Sequence, residues 1–396
     1  MSSRRDARKV FGRDLDVVLT RVEEIAREVA APRAAEVDRE GLWPRHSLAA
    51  LQEAGLGGLV VPRGAGGLGH GLVGLARVCE TLGKACGSTA ICFGMHCVGS
   101  AVIAAKATPD QESQYLAPIV EGRHITSLAL SEPGTGAHFY LPRTRLTAVS
   151  PDSYRVDGVK SFVTNGGKAD SYVISTVGEA GERDPGSFSC VVVRADQPGM
   201  TWGSPWDGVG MRGNSAISLD LFDVAVPRRD LLGQEGDEIW YVFQVIAPYF
   251  LVATAGAYLG IASAALEEAT EHLRRRRYAH TGETLGEQPI VQHRLGTLWG
   301  QIERTRQLVY HAAAEGDAGT AESLPALFAA KAEVADCAVS VANEAMTLVG
   351  GQAYRDRASL ERHLRDARAA HVMAPTTDVL RIWLGRSLLG LPILGD

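Results

Sequence analysis

Two segments decide the fold: Leu128-Ala-Leu-Ser-Glu-Pro-Gly-Thr-Gly-Ala137 and Lys160-Ser-Phe-Val-Thr-Asn-Gly-Gly167. Each is a strand-like apolar run that ends in a polar turn carrying two glycines. Taken singly, each reads as a plain hairpin turn. Taken together, they place two glycine turns where backbone amides can approach an anionic or heteroaromatic ligand closely. Working outward, Tyr154-Arg-Val-Asp-Gly alternates apolar and polar residues, and Ser171-Tyr-Val-Ile-Ser-Thr-Val, Ser189-Cys-Val-Val-Val-Arg and Ile217-Ser-Leu-Asp-Leu-Phe are short β-type runs. The turns Asn165-Gly-Gly, Asp184-Pro-Gly and Gln197-Pro-Gly separate them. This spacing predicts a small antiparallel barrel or sandwich over residues 126–236.

Helical periodicity flanks the strands on both sides. Upstream, Val17 to Ala31 carries Leu19, Val22, Ile25 and Val29 at helical spacing and is expected to stop at Pro32. Leu48–Ala54, Leu72–Gly83 and Ser88–Ala105 follow as helices, the last two rich in small residues suited to close packing. From Asp237 onward the helical period returns, with Leu295, Leu298, Trp299, Ile302 and Val309 on one stripe and a loop at Glu315-Gly-Asp-Ala-Gly. The expectation is an α+β chain: an N-terminal α-helical domain (1–125), a middle antiparallel β-barrel domain (126–236) and a C-terminal four-helix bundle (237–396).

Composition sets outer limits. The 396 residues are 45% hydrophobic and 22% charged, with a net charge of −6, which argues against a nucleic-acid or anionic-membrane surface. Six cysteines in so long a chain read as buried thiols of a reducing, cytoplasmic compartment rather than a disulfide framework. The polar start MSSRRDARKVFGRDLD shows no signal peptide, and no long apolar run free of polar breaks suggests a membrane span. Gly64-Ala-Gly66-Gly-Leu-Gly69 matches G-x-G-x-x-G, but the helices that follow it lack the βαβ context, so it reads as a turn. Arg274-Arg-Arg-Arg277 reads either as a solvated helix end or as a phosphate contact. His96, Cys92, Cys97, His363 and His371 fit no metal-ligand spacing, and neither a nucleophile elbow nor a Walker loop is present.

The two deciding segments resemble the acyl-CoA dehydrogenase family, in which a T-E-P-G-x-G-S loop and a W-I-T-N-G strand bracket the flavin of FAD. Here they read Ser131-Glu-Pro-Gly-Thr-Gly-Ala137 and Phe162-Val-Thr-Asn-Gly166. The Gly-Gly-Leu-Gly turn ending at Gly69, Gly210-Met-Arg-Gly, Val226-Pro with Leu231-Leu-Gly, Gly350-Gly351 and Leu364-Arg-Asp-Ala367 extend the resemblance over nearly the whole chain. It implies that Leu128, Leu130, Ser131, Gly136 and Ala137 line the flavin. Phe162 then packs on the ring and Thr164 hydrogen-bonds its polar edge. Gly350 and Gly351 approach the FAD of a neighbouring subunit in a homodimer or homotetramer, and Thr376 and Asp378 lie near the adenosine diphosphate part. The pyrophosphate element maps to Tyr278-Ala-His-Thr-Gly282, with Arg277 as the replacement arginine, and the glutamine usual before the glycine pair is Thr347.

The departures concern catalysis. The family's base is a Glu in an E-G-T triplet after the R-D-A element, and that triplet here is Ala374-Pro375-Thr376. Some members carry the Glu instead on the first long helix of the rear bundle. The matching stretch, Pro248-Tyr-Phe-Leu-Val252, has no carboxylate, and the Arg that follows that site corresponds to Leu251. The catalytic base is thus unassigned, with Tyr249, His371 and His138 as candidates. The Ala374 N–H remains available to polarise a thioester carbonyl. The resemblance implies FAD-dependent oxidation of an acyl thioester, acyl-CoA or more so acyl carrier protein-bound, at a CH–CH or CH–OH bond. The Ser131–Tyr140 and Ala374–Asp378 variants resemble a branch found with actinobacterial polyketide pathways, which implies electrons passed to a flavoprotein or oxygen. The alternatives are a flavin monooxygenase using reduced flavin and oxygen on the same scaffold, and an inert carrier-binding relative, against which the retained flavin loops argue.

Overall fold

Local sequence rules sort the chain into three consecutive parts. The computed structural model describes residues 14–178, 188–236 and 239–394. The Asp184-Pro-Gly turn, the polar N-terminus and the start of the rear part at Asp237 lie outside them. In the first part, Asp14 caps the helix Leu15–Ile25 by accepting from the Asp16 N–H at 3.0 Å, and Val18, Leu19, Val22 and Ile25 face inward. The expected stop at Pro32 does not occur. A wide π-type turn, Ala26–Ala30, precedes Ala31–Arg39 and leaves Pro32 in that segment's first turn, where its missing N–H breaks no helical bond.

Gly87–Ala105 is buried around nearly its whole circumference and forms an interior helix. This helix and Ile239–Arg275 are long and apolar enough to span a membrane, but the rest of the protein covers 89% of each apolar window. Leu72–Ala85 lies against Ala247–Arg275 at close range. A Cβ on Gly256 would stand 2.4 Å from the Ala76 carbonyl oxygen, and one on Gly83 would stand 2.3 Å from that of Ala257. The small residues noted in the sequence are therefore what lets these backbones touch.

Among the described residues the middle part is one sheet of eight strands: β1 Thr126–Ala129, β2 Arg145–Ser150, β3 Ser153–Val163, β4 Ser171–Gly178, β5 Phe188–Arg194, β6 Met200–Trp202, β7 Ile217–Pro227 and β8 Leu231–Leu232. Their order is β6-β7-β3-β2-β4-β5-β8, with β1 beside β4. The expected all-antiparallel barrel needs two corrections. Both β1 and β2 run parallel to β4, sharing one of its edges at opposite ends (Thr126 opposite Ser171, Arg145 opposite Val177). The path ends at β6 and β8, which do not pair with each other among the described residues. Period-two alternation identifies strands but carries no information on direction.

The rear part comprises Ala247–Arg275, Pro289–Ala318, Ser323–Val349, Ser359–Val372 and Thr377–Leu388, packed chiefly around Ser323–Val349. Two local expectations change. Leu298, Ile302 and Val309 are buried, but Trp299 is 61% exposed and lies off the stripe. The Glu315–Ala318 stretch is the last turn of a helix rather than a loop, and only Gly319, at φ +63°, leaves it. Asp317 in that turn accepts from the N–H groups of Leu72 and Val73 at 2.6 and 3.0 Å, capping the N-terminus of Leu72–Ala85. All six cysteines are buried and free.

Candidate active site

The loop after β1 is held by a buried ion pair that its own sequence supplies. Lys160, on β3, is fully buried, and its ammonium donates to Glu132 Oε1 at 2.6 Å and to the Ser175 carbonyl and hydroxyl at 2.6 and 2.9 Å. Glu132 also accepts from the N–H groups of Arg143 and Thr144 and from the Thr144 hydroxyl, at 2.6, 3.1 and 2.7 Å. Burial alone would raise the Glu132 carboxyl, but the Lys160 charge and these donors outweigh it and hold its pKa below the usual value. Burial lowers the Lys160 ammonium to about 8 against the opposing pull of Glu132. The pair thus closes both ends of the loop 132–144.

The second turn is fixed from behind. Phe162 and Asn165 have positive φ, +54° and +59°. Asparagine tolerates this conformation well, whereas for a bulky aromatic it marks strain of the kind found at functional sites. The Asn165 amide donates to the Cys92 carbonyl at 2.9 Å and accepts from Trp43 Nε1 at 2.8 Å, so this motif asparagine faces the core. A Cβ on Gly166 would stand 2.4 Å from the Ile217 side chain, which explains the glycine.

Between these turns and the rear bundle lies a cavity of about 720 Å³, within the range of cofactor and ligand sites. Leu128, Leu130, Ser131, Gly136, Ala137, Phe162 and Thr164, the seven residues expected at the flavin, line it, as does Thr376, expected near the adenosine diphosphate part. Met95, Phe139, Trp206, Met211, Ile246, Ala247 and Phe250 make the rest largely apolar. The hydroxyls of Ser131, Ser161, Thr164 and Thr376 face it without a hydrogen-bond partner among the described residues. Phe162 is 65% exposed there, edge-on to Trp206 at 6.1 Å. An open aromatic face, free hydroxyls and the glycines Gly134 and Gly136 of the first loop fit a planar heteroaromatic cofactor with polar edges, which FAD is.

The positions of the missing base meet in the same cavity. Ala374 lines it, as does Phe250, the residue before Leu251 on the bundle helix; Leu251 itself is buried in the core. Glu132 is the only carboxylate in the lining among the described residues, and Lys160 engages it. Tyr249, His371 and His138 are not in the wall. Burial raises the Tyr249 hydroxyl to about 12. His371 lies 3.3 Å from the Thr377 hydroxyl and 3.6 Å from the Asp336 carboxylate, and burial lowers its pKa. His138 is exposed and pairs with the Tyr140 hydroxyl at 2.8 Å.

Four other expected residues also lie outside the wall. Arg277 is exposed just past the end of Ala247–Arg275, and its guanidinium donates to the Gly282 carbonyl at 2.8 Å. Gly350 and Gly351 occupy a surface turn after Ser323–Val349, with open space where a Cβ would point. Asp378 is exposed in the first turn of the last helix.

The sequence reading missed the supports. Asp366, in the Leu364-Arg-Asp-Ala367 element, is buried and accepts from the Met211 N–H at 2.6 Å. Burial pushes its carboxyl up to about 6. Met211 is held at φ +52°, and the adjacent Gly210 approaches so closely that a Cβ would stand 2.4 Å from the Arg365 carbonyl oxygen. The Gly210-Met-Arg-Gly and Leu-Arg-Asp-Ala elements, far apart in the chain, are thus one structure at the cavity's rim. The signal for Lys160 was available: period-two alternation from Tyr154 and Val156 places it on the inward face of its strand, where a lysine requires a buried partner.

Comparison with known proteins agrees with this geometry. The acyl-CoA dehydrogenase N-terminal, middle and C-terminal domain profiles match residues 14–123, 127–224 and 240–389. A cyclohex-1-ene-1-carbonyl-CoA dehydrogenase from Geobacter metallireducens is 29% identical over 94% of this chain and 97% of its own. The butyryl-CoA dehydrogenase structure from Megasphaera elsdenii superposes with a TM-score of 0.89 at 27% identity, covering 95% of this chain and 98% of that one. A prolyl acyl carrier protein oxidase, AnaB, shares the fold with a TM-score of 0.85 at 23% identity, over 99% and 100% of the two chains.

Proposed function

The chain belongs to the acyl-CoA dehydrogenase family, whose members are flavin oxidoreductases acting on CH–CH bonds, and from that premise we propose that it oxidises an acyl thioester without a carboxylate at either of the family's base positions. Bound FAD would supply a two-electron acceptor for the hydride that leaves the acyl group, and the proton lost with it would pass to water. What supports the reading is one observation: Ala374 and Phe250 both line the cavity, and its single carboxylate among the described residues, Glu132, is tied to Lys160.

The chain's own groups then have defined tasks. Ser131 and Thr164 supply hydroxyls to the polar edges of the flavin, and Phe162 and Trp206 enclose its plane. The Ala374 N–H donates no hydrogen bond among the described residues and polarises the thioester carbonyl, which acidifies the neighbouring carbon. Loss of a positioned base forfeits about 10²- to 10⁴-fold in rate. The substrate therefore supplies part of that acidity itself, through an already activated acyl group or a hydroxyl on the oxidised carbon. The apolar wall from Met95, Ile246, Ala247 and Phe250 suits the acyl chain. The thioester is carried on pantetheine, of CoA or, as the shared fold with an acyl carrier protein oxidase encourages, of a carrier protein, in secondary metabolism. Electrons pass onward to a flavoprotein or oxygen.

The test is anaerobic titration of the FAD-loaded protein with butyryl-CoA, 3-hydroxybutyryl-CoA and prolyl carrier-protein thioester. Bleaching of the flavin absorbance with the activated or carrier-bound thioesters, and weaker bleaching with butyryl-CoA, is expected. No bleaching with any of them, together with product formed only from reduced flavin and oxygen, would replace this reading by the monooxygenase.

A further inference from the structure

Lys331 stands in the Ala-rich helix Ser323–Val349 and is fully buried, with no carboxylate at ion-pair distance among the described residues. Its ammonium has three N–H groups and meets three carbonyl oxygens: Ala370 at 2.7 Å, Pro375 at 3.0 Å and Met373 at 3.1 Å. All three belong to the segment that ends Ser359–Val372 and carries Ala374. An isolated buried ammonium is costly, and burial lowers the Lys331 pKa to about 7; the three carbonyls satisfy all three donors of its charged form.

One of these bonds reaches the cavity through a single rigid group. The Met373 carbonyl and the Ala374 N–H are the two ends of one peptide unit, which is trans. In a planar trans peptide the C=O and N–H point in opposite directions. With the carbonyl turned inward onto Lys331, the N–H is turned outward, on a residue that lines the cavity and makes no internal bond. A cation on the carbonyl also draws electron density through the peptide and makes the N–H a stronger donor.

We propose that Lys331 is a positioning residue for the reaction: by holding the Met373 carbonyl it aims the Ala374 N–H into the cavity and strengthens it as a donor to the thioester carbonyl. The inference rests on the reading that a thioester binds with its carbonyl at Ala374. It assigns a task to a charge that the missing base leaves more important. Where no carboxylate takes the proton, polarisation of the carbonyl is what remains on the protein side to acidify the neighbouring carbon.

The experiment uses FAD-loaded wild type, Lys331→Met and Lys331→Gln, each with butyryl-CoA labelled with ¹³C at the carbonyl, under anaerobic conditions. The readout is the carbonyl stretch of the bound thioester by isotope-edited difference infrared spectroscopy. Wild type should shift the band to lower frequency than free butyryl-CoA. Lys331→Met should return it most of the way, with FAD content unchanged, KM little altered and flavin reduction slowed about 10- to 100-fold. Lys331→Gln keeps two donors without the charge and should fall between; it also serves if the methionine variant does not fold. A band displaced equally in wild type and the folded variants overturns the role of Lys331 while leaving the thioester reading intact. No displacement in wild type overturns the thioester reading itself.

Discussion

Replacing Lys160 by methionine removes the ammonium but keeps most of the side chain's volume, and it isolates what the buried pair does for the flavin loop. Lys160 and Glu132 have side-chain exposures of 0% and 3%, so solvent screens neither. Breaking such a pair by deleting one partner costs about 3–5 kcal/mol, because the other charge remains buried. Glu132 keeps its donors from Arg143 and Thr144, which places the expected loss near the lower end, about 3 kcal/mol. Lys160→Met with Glu132→Gln buries no charge and should recover most of that loss, giving a coupling of more than about 1 kcal/mol. The assay is urea unfolding of the FAD-loaded protein followed by flavin fluorescence, alongside FAD titration of the apoprotein. FAD affinity should fall with the single variant, since Glu132 anchors the loop carrying Ser131, Gly136 and Ala137. A single variant that unfolds and binds FAD like wild type would refute the argument that this pair shapes the site.

Acid should act on the same pair: because the folded Glu132 carboxyl lies below its ordinary 4.5, its contribution is fully present above that pH and is lost as pH falls through the folded value, and Glu132→Gln should flatten this limb of the stability profile. Asp366 has the opposite sign. Its folded pKa of about 6 exceeds the ordinary 3.8, so wild type loses stability as pH rises through that window, and Asp366→Asn, which keeps an acceptor for Met211, should gain relative to wild type between those values in thermal melts. Phe162→Ala should weaken FAD binding by the worth of one aromatic contact, about 0.5–1.5 kcal/mol in an FAD titration. Tyr249→Phe, His371→Gln and His138→Gln should each escape the roughly 10²-fold loss in anaerobic flavin reduction that removal of a general base brings.

The three-part order was legible because helical and β periods differ and each part runs long enough to show its own. That one set of residues lines a single cavity wall was legible because most of them come from two short contiguous motifs. Errors arose where the answer lay outside the local window. Pro32 looked like a stop because the π-type turn that accommodates it leaves no sequence mark. Trp299 was placed on the buried stripe by spacing, but it lies about 100° round the helix from Leu298 and beyond the face that Leu298, Ile302 and Val309 bury. The parallel pairing of β1 and β2 with β4 depends on how the loop between them crosses, which alternation cannot report. The supports of the site (Glu132 with Lys160, Asp366 with Met211, Lys331 with the Ala374 turn) join residues remote in the chain, and their pairing shows only once the fold buries them together.

The most direct measurement is the rate of flavin reduction by butyryl-CoA in Ala374→Glu against wild type, both folded and loaded with FAD. The account predicts that a carboxylate restored at this point of the cavity wall raises the rate by about 10²-fold or more. A variant that binds the thioester with unchanged affinity yet reduces its flavin no faster than wild type would contradict it.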